Sequence, residues 1–300
     1  MKIRRFAIAA AIMVLTISAA GSALAQSTQS SILGVITDAS GSHVPNATVT
    51  VRNEDTNFAR SISGLESGDY RFSGLEAGFY QVTVTAPGFK TFTRKRIDLA
   101  SSQIKRIDAV LEVGDVSATV TVEGNTSQVE TEAATLSNLK TSRDFAQLPL
   151  STQGRGWANI TNVTAGIQSA SGFEVNGARD TANNFTSDGI SVNDMVSSRN
   201  TANGFSGDIE TFQEIKILTA NTSAEYAQIA QFAAVSKSGG NAPHGSLYWG
   251  IFNSNFSARA WSDRAPPSFV NHNMFALNAG GPVYLPKVYD GRNRTFFFVS

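Results

Sequence analysis

The chain has 300 residues, with 24 Lys and Arg balancing 24 Asp and Glu, charged residues at only 16%, and no cysteine. A neutral chain without a long basic block argues against nucleic acid as the partner, and the missing cysteines exclude disulfides, C-x-x-C redox chemistry and zinc fingers. Twenty-five glycines, with abundant Asn, Ser and Thr, describe a strand-and-turn protein with room for two or three domains.

In chain order, the N-terminus carries Lys2, Arg4 and Arg5, then a nearly unbroken apolar stretch from Phe6 to Ile17, then Ala23-Leu24-Ala25. This is the order of an export signal, with cleavage expected between Ala25 and Gln26. The apolar run is far below the roughly 20 residues a membrane-spanning helix needs. Residues 1–25 are thus read as a signal peptide and the mature protein as exported. Any membrane role must use strands, because no later segment has the pattern of a spanning helix.

From 26 to 113 short alternating segments are broken by turns. In ATVTV, Val49 and Val51 share one face and Thr48 and Thr50 the other; YQVTVTA and the Ile107, Ala109, Leu111 series repeat the period of two. SGLESGDY and SGLEAGFY are near-copies, and positive φ at Gly68 and Gly78 would deliver Tyr70 and Tyr80 into the following strands. The expectation is a small β-sandwich. GVITDASGSHVPNATVTVRN and GDYRFSGLEAGFYQVTVTAPGFK also resemble the carboxypeptidase regulatory-like domain, a transthyretin-like sandwich. That resemblance implies an accessory module without a zinc site. The family often has a Thr-Gly turn where this chain has Thr56-Asn57.

Residues 114–142 read as a polar linker around one extended piece, SATVTVEG. Residues 143–240 read as a mixed α/β domain. SRDFAQLPL predicts a helix capped by Ser142 and ended before Pro149. GRGWANITNVTAG and Ser223–Ala227 predict two more short helices, and Ile215, Ile217 and Ala233–Val235 predict strands. Residues 241–300 change grammar again. Leu247, Trp249 and Ile251 share one strand face, as do Phe275, Leu277 and Ala279, and TFFFVS supplies a third strand after PVYLPKVYDGRN. Large apolar residues alternating with small or polar ones are the pattern of outer-membrane barrel strands. The predicted fold is therefore mainly β: a transthyretin-like sandwich, an α/β domain, then the first strands of a transmembrane barrel. Three strands with open edges do not satisfy their backbone in lipid, so the chain is expected to be the N-terminal part of a longer protein.

Taken together, FEVNGARDTANNFTSDGISVND, FQEIKILTANTSAEYAQ, SKSGGNAPHGSLYWGIFNSNFSARAW and GGPVYLPKVYDGRNRTFFFVS resemble the Oar-like branch of the TonB-dependent outer-membrane receptors. The family often has glycines where this chain has Ala227, Gln228, Ala230 and Gln231. The resemblance implies that residues 143–240 are a plug. It further implies an outer-membrane location with the N-terminal domain in the periplasm, outer-membrane lipid and an inner-membrane TonB-type energy complex as partners, and an unidentified peptide, glycan or metal chelate as ligand. It also implies that Ser117, Ala118, Thr119, Val120, Thr121, Val122 and Glu123 resemble an energy-coupling box, which joins its partner as an added strand. An ordinary last strand of the sandwich is the competing reading. Asn193, Asp194 and Arg199, in polar loops, are candidate substrate-facing residues.

No catalytic constellation is expected. His43, His244 and His272 are the only histidines, and none has the H-E-x-x-H spacing. No G-x-S-x-G elbow is present. Asp188, Asp194 and Asp208 read as turn residues rather than a calcium cluster. Lys90, Arg94, Lys95 and Arg96 read as a solvated strand edge. Neither an enzyme nor a cofactor is expected, and the rival to a receptor is a soluble periplasmic binding or scaffolding module.

Overall fold

The computed structural model describes residues 29–116, 118–122, 132, 135–147, 164–168, 174–193, 209–222, 228–256 and 269–300. The predicted signal peptide through Ala25, and Gln26 after it, lie outside these residues, as do Ser223–Ala227.

The first unit is a sandwich of nine strands: β1 (Ser30–Asp38), β2 (Thr48–Asn53), β3 (Ala59–Ser63), β4 (Asp69–Leu75), β5 (Gly78–Thr85), β6 (Thr91–Leu99), β7 (Ile104–Arg106), β8 (Ala109–Leu111) and β9 (Thr119–Val122). One sheet runs β4-β1-β7, with β8 also on β1; the other runs β3-β2-β5-β6-β9. Alternation sorts the side chains as predicted. Val49 and Val51 are buried while Thr48 and Arg52 are exposed, and Tyr80, Val82 and Val84 follow the same rule in β5. Ile32, Ile36, Phe72, Ile97, Leu99, Ile107 and Leu111 fill the space between the sheets. Each such side chain contributes about 1.5–3 kcal/mol through burial.

β1 takes β7 and β8 as successive parallel partners. Between them the Ile107 amide donates to Leu33 O at 2.7 Å and the Val35 amide to Asp108 Oδ1 at 2.9 Å. Gly34 permits this approach, since a Cβ there would sit 1.9 Å from Ile107 O. Both near-copy turns behave as expected: Gly68 and Gly78 have φ of 77° and 152°, and both tyrosines are buried. The Tyr70 hydroxyl donates to Ile107 O, and that of Tyr80 to Glu76 O at 2.9 Å.

The central unit comprises β10 (Leu136–Thr141), α1 (Ser142–Gln147), β11 (Ile167–Gln168), β12 (Glu174–Val175), β13 (Asn183–Ser187), β14 (Ile190–Ser191), β15 (Phe212–Ala220) and β16 (Ala230–Ser236). Its main sheet runs β10-β15-β16-β13-β14, with β13 and β16 parallel. Phe145, Phe185, Ile209, Phe212, Ile215, Ile217 and Phe232 form its core. Phe185 and Phe232, paired in register, stack at 4.6 Å.

Four details differ from the sequence expectation. The segment read as a linker around one extended piece holds, besides that piece as β9 on the sandwich, a second paired strand, β10, in the central sheet. Helix α1 is preceded by Thr141 at the cap position, not Ser142: the Thr141 amide and hydroxyl both donate to Asp144 Oδ2, at 2.8 and 2.9 Å, the carboxylate half of a capping box one residue earlier. The basic cluster is a solvated edge only in part: β9 covers β6 as far as Arg94, Lys95 and Arg96 stay exposed beyond it, and Lys90 pairs with Glu112 at 2.9 Å. Of GRGWANITNVTAG, the described Thr164–Gly166 form a turn, and the rest lies outside the described residues.

The third unit is the antiparallel sheet β17 (His244–Asn253), β18 (Asn271–Pro282) and β21 (Phe296–Val299), with a small hairpin, β19 (Tyr284–Leu285) and β20 (Tyr289–Asp290), between the last two. The hairpin lies within what reads in sequence as a plain connection.

Candidate lipid-facing surface and interdomain junction

The register of the third sheet decides what its outer face presents. Leu247 lies opposite Leu277, and Trp249 opposite Phe275, with the two rings stacked at 5.8 Å. Leu247 is 77% exposed, Trp249 60%, Phe275 69% and Leu277 66%. Ile251, Phe297 and Val299 are also exposed. A contiguous apolar face of this kind is unfavourable in water and marks a surface that meets lipid or protein. On the opposite face Gly250, Asn278 and Gly280 are buried. Asn278 accepts from the Ser246 amide at 3.0 Å and donates to the Ser246 hydroxyl at 2.7 Å and to Glu210 O at 3.4 Å. β17 has ten residues and β18 twelve, about the 9–11 that a strand needs to cross a bilayer.

Of the coupling-box candidates, Ala118 and Thr119–Val122 are described. Thr119–Val122 pair in parallel with Thr91–Arg94 of β6, at the end of the sheet. The Ala118 carbonyl accepts the Thr91 amide at 2.9 Å. Ser117 and Glu123 lie outside the described residues. Asn193 is committed to the central sheet: its Oδ1 accepts the Phe185 amide at 2.8 Å and its Nδ2 donates to Asn184 Oδ1 at 3.0 Å. Asp194, Arg199 and Asp208 lie outside the described residues. Asp188 accepts from the Ser236 amide and hydroxyl, at 2.8 and 2.9 Å, closing its turn onto β16. Gln231, one of the departures from the family's glycines, is buried and bonded to Asn184 at 2.7 Å and Thr186 at 2.8 Å.

A cavity of about 440 Å³ opens where the three units meet, lined among others by Glu54, Asp55, Lys237, Asn241 and His244. Nearby, Glu214 and Lys216 of β15 are buried at 5% and 3% exposure. Burial pushes the Glu214 carboxyl above its ordinary value of 4.5, while the hydrogen bond from the Ser101 amide opposes the rise. Sequence reading passed over this pair, since EIK within a strand does not reveal that another domain covers it. Among the described residues no group of three or more His, Cys, Asp or Glu has a metal-holding arrangement.

Residues 31–112 match the carboxypeptidase regulatory-like domain, and residues 235–300 match an outer membrane beta barrel domain. No curated protein matches the chain. Among solved structures, a Bacteroides uniformis protein described as carbohydrate-binding shares 23% identity over 27% of this chain and 40% of its own, with a TM-score of 0.24. Catechol 1,2-dioxygenase from Acinetobacter sp. ADP1 shares 14% identity over 34% and 60%, at 0.25. A streptococcal ancillary pilin shares 10% over 29% and 33%, at 0.25. The chain thus spans less than two thirds of each, and at these scores the likenesses bear on no function. The chain joins a carboxypeptidase regulatory-like sandwich to strands of an outer-membrane β-barrel domain, and it is receptor-like in that organisation.

Proposed function

We propose that the chain belongs to a TonB-dependent outer-membrane receptor of the Oar-like kind. The central α/β unit is its plug, the sandwich lies in the periplasm, and an inner-membrane TonB-type complex drives uptake. The observation that carries this reading is the third sheet. Its outer face is apolar over two strands of bilayer-spanning length, β17 and β18, and it follows directly from an α/β unit that packs on its other side through Asn278 and Glu210. A three-stranded sheet leaves two edges open, and lipid tolerates strands only in a closed wall; large plugged transporters close with about 22 strands. β17, β18 and β21 are read as part of such a wall. The ligand is a peptide, a glycan or a metal chelate, and no catalysis is involved.

Coupling runs through β9. An edge strand offers backbone donors and acceptors to an incoming strand, so residues 117–123 are the segment that a TonB-type protein would grasp. The pairing of β9 with β6 equally suits an ordinary sandwich strand. Calorimetric titration of the intact receptor with the periplasmic domain of a TonB-type protein separates the two. Binding that disappears on deletion of 117–123, with the sandwich still folded, is expected. Binding unchanged by the deletion assigns β9 to the sandwich alone, and no binding by the intact chain contradicts the TonB reading.

A further inference from the structure

The sandwich is held at two separate places. The first is the turn after β6. Glu214 Oε1 accepts the Ser101 amide at 2.6 Å, and Lys216 Nζ donates to the carbonyls of Ser101 and Ser102 at 3.4 and 3.3 Å. Glu214 and Lys216 are two apart on β15, so both project from one face of the central sheet.

The second is the turn after β2. Asn53 Oδ1 accepts the amides of Asp55 and Thr56, both at 2.9 Å, and shapes it. Asn57 donates to Asn293 Oδ1 at 2.9 Å, and Asn241 donates to the same oxygen at 2.9 Å. The Asn293 amide returns a bond to Asn241 Oδ1 at 2.7 Å, and the Asn241 amide reaches Asp55 O at 2.9 Å. A sandwich turn, the connector after β16 and the turn before β21 are thereby tied in one net. Asn57 and Asn293 have φ of 60° and 61°. Glycine meets that backbone demand more easily, but only a side-chain amide makes these bonds.

We infer that the sandwich acts as a bolt across the joint between the central unit and the barrel strands. Both attachments together restrain the central unit against the barrel, in addition to the direct Asn278–Glu210 bond; release of either one removes the sandwich's share of that restraint. As a restraint on a plug, this rests on the receptor reading above. The path of release is visible in the sheet: β9 pairs with the first half of β6, and β6 leads directly into the Ser101 turn. A pull on β9 therefore loads the clasp made by Glu214 and Lys216.

Hydrogen exchange of the intact protein in detergent, resolved by mass spectrometry, tests the bolt. Asn293→Gly keeps the positive φ and deletes the net's central acceptor. Exchange is expected to rise roughly tenfold at residues 55–57 and also at the distant Ser101 amide, with Lys237, whose amide is bonded to Thr211 O at 2.9 Å, following. Glu214→Gln combined with Lys216→Met is expected to raise exchange at residues 55–57 in turn. Asn57→Gly removes a single bond and serves if the other variants fold poorly. A rise confined to the altered attachment in every variant overturns the bolt. Recovery in the outer-membrane fraction, scored separately, bears on the receptor reading alone.

Discussion

Gly34 shows how one missing side chain sets a domain's topology. β1 can take β7 and β8 as partners only because Ile107 O approaches the Gly34 backbone, where a Cβ would lie at 1.9 Å. Gly34→Ala is therefore expected to destabilise the sandwich by about 3 kcal/mol or more, read as a lower denaturant midpoint, since the clash is with backbone rather than a flexible tip. Asn193→Ala removes the bonds to the Phe185 amide and Asn184 Oδ1 and loosens the end of the central sheet, with an expected loss of about 1–3 kcal/mol in the same assay. Glu214 gives a pH signature. Its folded carboxyl holds a proton more tightly than an unfolded one, so its contribution to stability is greatest below its ordinary value of 4.5. That contribution declines as pH rises through the raised value and is constant above it. Glu214→Gln is expected to remove this part of the slope; parallel stability–pH curves for the two proteins would contradict it.

Among the elements, the local ones were legible and the distant ones were not. Val49 and Val51, or Leu247 and Trp249, announce their faces because a strand's period of two is written in adjacent residues. β10 escaped because LSNLKT lacks alternation, and its residues are half-buried or exposed without a period. The Thr141 cap was misplaced by one residue because Ser142 is an equally good capping type, and only the Asp144 carboxylate selects between them. The asparagine net was invisible for a different reason. Asn57 and Asn293 stand 236 residues apart, and Thr56-Asn57 reads in sequence as a mild departure in a surface turn. The barrel strands carry their own test. Leu277 projects from the apolar face and Met274 from the other, opposite Gly250. Leu277→Arg is expected to cost about 2–4 kcal/mol of folding stability in lipid vesicles, and Met274→Arg markedly less. Equal costs would mean that the exposed face does not meet hydrocarbon.

At the scale of the molecule, three units of different chemistry share one chain. The sandwich is stabilised by its own aliphatic core, the central unit by a separate aromatic one, and the third sheet exposes what the other two bury. That inversion makes a membrane the natural surrounding of the third sheet and water that of the first. The connection between β17 and β18 and the sandwich should then lie on opposite sides of the outer membrane. Because these 300 residues hold no cysteine, a thiol introduced among them is unique within them, and the protein without it gives the background. Phe256 in that connection and Leu65 in the sandwich are both well exposed. The most direct measurement is labelling of Phe256→Cys and Leu65→Cys in intact cells with a membrane-impermeant maleimide, repeated after permeabilisation. The expected result is a thiol at 256 that reacts in intact cells and one at 65 that reacts only after permeabilisation. Equal protection of both in intact cells, or recovery of the protein in the soluble fraction, would contradict an outer-membrane receptor.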